Sequence, residues 1–159
     1  KMGVRLEAFT VSAIRTALEL QQEMGFSMVL VGATQAHRLA EELAAADVPV
    51  ILSAGRMGNP DFPSETLLSR WSTLKEAGVK VALASGRSGA DLLLAGGQLI
   101  SAGANQTDVW HALTTIPAQI LGIDQKFGSI GNGQSGSMIL FEGSSPFDLS
   151  APFRAHKPR

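Results

Sequence analysis

Apolar and polar positions alternate along this chain between short apolar runs and longer helical stripes. Val4 to Phe9 reads as a short strand. Val11 to Met24 has helical spacing, with Ile14, Ala17 and Leu18 on one side and Arg15, Glu19 and Gln22 on another. Thr10 or Ser12 caps its start, and Gly25 closes it as a C-terminal glycine. Phe26 to Val31 is almost continuously apolar, which suits a strand buried on both faces. The pattern then repeats. Gly32-Ala33-Thr34 turns the chain, and Gln35 to Ala46, capped by Thr34, reads as a helix rich in Ala, Leu and Glu. Asp47 ends it, ahead of a strand from Val48 to Leu52. Ser53 to Pro63 is a loop, marked by Gly55, Gly58, Asn59-Pro60 and Pro63. Ser64 caps a helix to Ala77, with Glu65 in the first turn, where negative charge is favoured, and Gly78 stops it. Val79 to Ala84 is a strand, Ser85 to Gly89 a turn, and Ala90 to Ala102 a helix.

This makes four consecutive strand–helix units. Strands alternating with helices imply an α/β fold with a parallel sheet and right-handed crossovers. In such folds the loops after the strands' C-terminal ends carry the chemistry, and here the long one is Ser53 to Pro63. The last third changes character. Gln106 to Leu113 is a helix, and Pro117 opens a further turn or two ending at Gly122. From Lys126 the period becomes two-like and glycine-rich; Ser137 to Glu142 is a strand, broken by Gly143-Ser144-Ser145-Pro146. The expectation is a small β appendage over 123–152 and a disordered tail over 153–159.

Composition narrows the functional classes. With 159 residues, 45% of them hydrophobic, the chain can build one modest core. Charged residues are only 17% and the net charge is −1, so no basic stripe offers a nucleic-acid surface. The absence of cysteine removes disulfides, thiolate metal sites and cysteine nucleophiles, and leaves the compartment undetermined. The apolar runs are far short of a membrane span. The first residue is Lys1 and not an initiator methionine, so the N-terminus reads as a cut end and a missing leader carries little weight.

The segment Ala112-Leu113-Thr114-Thr115-Ile116-Pro117-Ala118-Gln119-Ile120-Leu121-Gly122 resembles the closing motif of the amidohydrolase superfamily. There it is followed by a run of the form G-x-[LI]-x-x-G-x-x-A-D-[LI]-[VI], which Gly128 to Leu140 matches, with Gly136-Ser137-Met138 in place of Ala-Asp-Leu. Gly143-Ser144-Ser145-Pro146-Phe147 resembles the family's G-D-P-[FL] ending. Val29 to His37 and Ala46 to Leu52 fit too, and the imidazolonepropionase-like and prolidase-like branch is the best match. The resemblance implies the C-terminal half of a (β/α)8 barrel of the TIM type over 1–122, its strands five to eight, with 123–152 contributing to a β-sandwich. Four strands cannot close an eight-stranded barrel. The resemblance therefore implies a partner: a missing N-terminal half, a paralogous chain or a homo-oligomer mate.

Family members hold one or two divalent metals at the barrel's mouth, through histidines on strands one, five and six and an aspartate on strand eight. That aspartate also shuttles the proton of the attacking water. The strand-five, strand-six and strand-eight positions fall on Glu7, Gly32 and Gly86. Glycine offers no ligating side chain and a lone carboxylate is not a site, so no metal is expected from this segment; zinc or iron enters only if the other half supplies the ligands.

Strand alternation puts Arg5 and Glu7 on one face, opposite Val4, Leu6 and Ala8. The apolar set should face the helices and the charged pair the barrel interior. The pair is either substrate-binding or an ion pair replacing a lost metal centre; the second is favoured, because buried charges persist when paired. Ser85-Gly86-Arg87-Ser88-Gly89 is a polar turn whose amides, helped by Arg87, suit an anion, although a simple turn is the more economical reading. Arg56 is a second cation at that end, ordinarily a solvated loop residue. His37, His111 and His156 lack a second histidine at ligand spacing and read as helix surface, packing and tail respectively.

Three functions remain open. One is a degenerate amidohydrolase-like subunit with a structural or regulatory role. Another is an active hydrolase of C–N bonds in cyclic amides or peptides, completed by the missing half. The third is a binding module for an anion at the barrel mouth.

Overall fold

The structure is a computed structural model that describes residues 3–53, 66–85, 89–142, 145–148 and 154–156. The chain divides into two compact units, Lys1–Arg87 and Ser88–Arg159.

In the first unit, strands β1 (Gly3–Ala8), β2 (Ser27–Gly32), β3 (Val50–Ser53) and β4 (Val81–Ala84) form one sheet in the order β1-β2-β3-β4. Every neighbouring pair is parallel. Helix α1 (Val11–Met24) joins β1 to β2; a 3-10 helix (Ala36–Leu39) and α2 (Ala40–Ala45) join β2 to β3; α3 (Leu67–Glu76) lies before β4.

The register sorts the side chains into rows across the sheet. Leu6, Leu30, Val50 and Val81 make one row, and Ala8, Gly32, Leu52 and Leu83 the next. Both rows belong to the same face, on which Leu30, Val50 and Leu52 are fully buried. The helices bring Ile14, Leu43, Trp71 and Leu74 to this core, and α1 packs on β1 and β2. The opposite face carries Glu7, Val31, Ile51 and Ala82 in one row and Arg5 beside Val29 in another. There Val29, Val31 and Ile51 are half-buried while Arg5 and Glu7 are exposed. The apolar runs predicted strands buried on both faces; among the described residues the helix-covered face is closed, whereas on the other Ala82 is buried but Val29, Val31 and Ile51 are covered only in part.

Local chemistry explains where the elements begin and end. Thr10 caps α1 by accepting from the Ala13 amide, and Gly25 closes it in the left-handed conformation, both as expected. The helix expected over Gln35 to Ala46 with a Thr34 cap is instead a 3-10 turn followed by a short α-helix. Gly32 and Ala33 both have positive φ, and the Ala36 amide donates to the Ala33 carbonyl, so the chain enters the segment in a tight turn. Asp47 closes α2 at φ +47°, with the Val48 amide donating to the Leu43 carbonyl. That closure and Pro49, which has no N–H to give, delay β3 to Val50 instead of Val48. In the same way the Val79 amide is used on the Leu74 carbonyl, so β4 starts at Val81 and not at Val79. Helix α3 is capped by Thr66, which accepts from the Ser69 amide, and its first turn holds no acidic residue. The expected cap Ser64, its neighbour Glu65 and most of the loop from Ser53 to Pro63 lie outside the described residues.

In the second unit, α4 (Gly89–Ser101), α5 (Gln106–Leu113) and α6 (Thr115–Leu121) follow in sequence. Asn105 caps α5 through the Thr107 and Asp108 amides. Helix α6 starts two residues before Pro117, which tolerates the proline because first-turn amides have no helical partner. Phe147 is the anchor of the C-terminal segment. Its ring packs at a tilt of 59° against Trp110 with centroids 4.6 Å apart and lies over Gly96, where a Cβ would come within 2.6 Å of it. Strand β5 (Leu140–Glu142) is shorter than the Ser137–Glu142 expected, and it pairs antiparallel with β6 (Arg154–His156). Part of the segment expected as a disordered tail is thus a strand, because β5 supplies the partner that no local pattern reveals.

Candidate functional site

The C-terminal ends of the four parallel strands meet at one edge of the sheet, where this architecture gathers its functional side chains. β1 delivers Glu7 and then Phe9, β2 delivers Gly32, β3 delivers Ser53, and β4 is followed by Ser85. Arg56, Gly86 and Arg87 lie outside the described residues.

Gly32 ends β2 with φ +81°. A Cβ built there would stand 2.5 Å from Phe9 Cε1, closer than any real contact. The aromatic ring therefore occupies the space of a side chain at position 32. Phe9 is held in place from the backbone. Its carbonyl accepts from the Gln35 amide at 3.0 Å, and the adjacent Ala8 carbonyl accepts from the Ala33 amide at 3.0 Å. The Gln35 side chain, 7% exposed, reaches back so that its Oε1 accepts from the Val11 amide at 2.8 Å, in the first turn of α1. That bond satisfies one of the amides a helix start leaves without a partner. The loop after β1 and the loop after β2 are in this way clamped together at the strand ends. Phe9 itself remains 49% exposed.

The other sequence candidates are placed less closely. Arg5 and Glu7 share the open face, as alternation requires. The buried or half-buried ion pair expected of them is not formed: both are exposed, and among the described residues no ion pair joins them. Among the described residues nothing covers the edge strand on that side strongly enough to desolvate them. Ser85 is half-buried. His37 is half-buried in the 3-10 helix and not on a fully solvated face, His111 is exposed on α5, and His156 lies in β6. Sequence reasoning did not find Phe9 or Gln35. Phe9 reads as the last residue of a strand, and Gln35 acts on a residue 24 positions away, which leaves no local trace.

Of the residues that the family resemblance assigns to metal, Glu7 offers a single exposed carboxylate and Gly32 no side chain, while Gly86 lies outside the described residues. Among the described residues no three His, Cys, Asp or Glu side chains come together. No helix among the described residues is long and apolar enough to cross a membrane.

The chain superposes on the crystal structure of an amidohydrolase from Thermotoga maritima with a TM-score of 0.85 over 98% of its own length and 42% of the other, at 24% identity. It has the fold of part of an amidohydrolase barrel. A second amidohydrolase matches with a TM-score of 0.66 and 17% identity over 92% of this chain and 39% of that one. A prolidase crystallised with N-methylphosphonate-L-proline matches with a TM-score of 0.67 and 15% identity over 92% and 40%. The chain thus spans about two fifths of the length of these amidohydrolase-fold proteins. No protein-family model and no curated protein matches the sequence.

Proposed function

We propose that this chain is a scaffold half of an amidohydrolase-like barrel, with a structural or regulatory role in place of metal-dependent hydrolysis. Residues 1–122 supply the barrel's C-terminal strand–helix units, and 123–152 contribute to a β-sandwich. The observation that carries the reading is Gly32: the position that the resemblance assigns to a ligand has no side chain, a left-handed backbone and, by the register, a place on the helix-covered face with Ala8 and Leu52, opposite Glu7. The open sheet face and the exposed Ile130, Ile139 and Leu140 support a partner that completes the fold.

One observation favours a second reading, an active hydrolase of C–N bonds completed by the missing half. Glu7 keeps a carboxylate at the end of β1, exposed on the face that would line the barrel. The variant Glu7→Gln in the complete assembly separates the two. Turnover of cyclic amides or proline dipeptides should be unchanged by it if this half is a scaffold; its loss assigns Glu7 to the chemistry and overturns the proposal.

A further inference from the structure

The side-chain amide of asparagine can be attacked by the backbone nitrogen of the next residue. The attack needs a proton on that nitrogen and goes fastest where no Cβ crowds the approach. The chain has asparagine at positions 59, 105 and 132. Asn59 precedes Pro60, whose nitrogen has no proton to lose. Asn105 precedes Gln106 and caps α5: its Oδ1 accepts from the Thr107 amide at 2.8 Å and the Asp108 amide at 3.4 Å, which commits the side chain to the helix start. Asn132 precedes Gly133, which has both the proton and no Cβ. The local structure leaves this pair unguarded. Gly131 to Gln134 is a β-turn in which the Gln134 amide donates to the Gly131 carbonyl at 3.2 Å. Gly133 holds φ +81° and Asn132 a negative φ, the signs of a type II turn. Both residues are exposed, and a Cβ at position 133 would meet nothing within 4 Å. Neither the Asn132 side chain nor the Gly133 amide makes a hydrogen bond among the described residues. The loop below is anchored: the Ser135 amide donates to the Lys126 carbonyl at 2.8 Å, Gln134 Nε2 to the Asp124 carbonyl at 3.1 Å, and Thr115 Oγ1 to the Gly128 carbonyl at 3.0 Å.

We propose that Asn132 is a site at which the chain modifies itself, converting its own side-chain amide to isoaspartate and opening the turn. The Gly133 nitrogen gives up its proton and bonds to Asn132 Cγ. The Cγ–Nδ2 bond breaks, and ammonia leaves with that proton, so that residues 132 and 133 share a cyclic imide. Water then adds to either ring carbonyl, and the bond from that carbonyl to the Gly133 nitrogen breaks. Breaking it at Cγ leaves aspartate. Breaking it at the Asn132 backbone carbonyl leaves isoaspartate, in which the main chain runs through Cβ and Cγ. The step consumes water and releases ammonia, and no oxidant, metal or second protein takes part. Either product adds a negative charge to a chain whose net charge is −1. Isoaspartate also lengthens the main chain inside the turn. The Gln134 amide then loses the Gly131 carbonyl, because the bond that closes a β-turn depends on the standard spacing of its four residues. The ties at Lys126, Asp124 and Gly128 lie outside the lengthened stretch, so the change is confined to the tip of the loop.

The test is to incubate the complete protein in mildly alkaline buffer and follow it by intact mass and peptide fragmentation. The folded protein should gain the mass of an amide NH2 replaced by OH, mapped to Asn132, at a rate that rises with hydroxide concentration. Isoaspartate should exceed aspartate there, and an isoaspartyl methyltransferase supplied with S-adenosylmethionine should label it. Asn132→Gln should lose both the mass gain and the label, since its longer side chain has to close a larger ring. In the modified protein the Gln134 amide should exchange with solvent faster than in the fresh protein, while the amides of α5 and α6 keep their rates. Several results overturn the proposal. One is an Asn132 amide that survives in the folded protein but is lost in urea, which would show that the fold protects it. Another is a mass gain that maps to Asn59 or Asn105 instead. Aspartate without isoaspartate would exclude the cyclic imide, and unchanged exchange at Gln134 would show that the turn stays closed.

Discussion

At φ +81°, with the Phe9 ring 2.5 Å from where its Cβ would stand, Gly32 has two independent reasons to be glycine. They can be separated by mutation. Left-handed backbone costs an L-residue roughly 1–2 kcal/mol. Forcing a methyl into filled space costs about 1–3 kcal/mol. Gly32→Ala should therefore destabilise the first unit by about 2–5 kcal/mol in urea unfolding. In a Phe9→Ala background the same substitution should keep only the backbone part of that cost. Equal costs in both backgrounds would show that the ring is not the obstacle. Little of this was legible in the sequence. Gly32 announces itself as a turn glycine, but the ring that seals it comes from the preceding strand–helix unit, and Gln35 fixes that unit through a bond across 24 positions. Contacts of this range depend on the register of β1 against β2, which no single run of residues encodes.

The elements themselves were written more plainly. Val11–Met24 and Gln106–Leu113 form the helices that their periodicity predicts, and Thr10 and Gly25 bound the first as capping chemistry requires. The misreadings occur where a backbone donor is committed elsewhere. Val48 and Val79 look like strand residues but give their amides to the ends of the preceding helices. The first turn after Gly32 is 3-10 because Ala33 has already turned the chain, a conformation hydrophobic spacing does not distinguish from α-helix. The C-terminal segment depends on Phe147, buried against Trp110 and Gly96. Removing a buried aromatic of this size costs roughly 3–5 kcal/mol. Phe147→Ala should lower the stability of the second unit by about that amount and expose the Trp110 indole, read as a red shift of its fluorescence. An unchanged spectrum and stability would mean that the ring does not anchor the segment.

For the whole molecule, alternating strand–helix units gave the parallel α/β sheet directly, because a helix that crosses between neighbouring strands returns the chain in the same direction. They could not tell how far each strand face is covered, since coverage depends on what lies beyond the chain's own strands. The same limit applied to Arg5 and Glu7: alternation placed them on one face, while their solvation depends on whether the barrel is closed. The central claim is that the strand ends of this half do not hold the metal that an amidohydrolase fold is built to carry. The most direct measurement is elemental analysis of the purified assembly containing this chain, after exchange into metal-free buffer without chelator. The account predicts zinc and iron well below one ion per chain, at a level that Glu7→Gln leaves unchanged. One or more tightly held ions per chain, lost in Glu7→Gln, would contradict it.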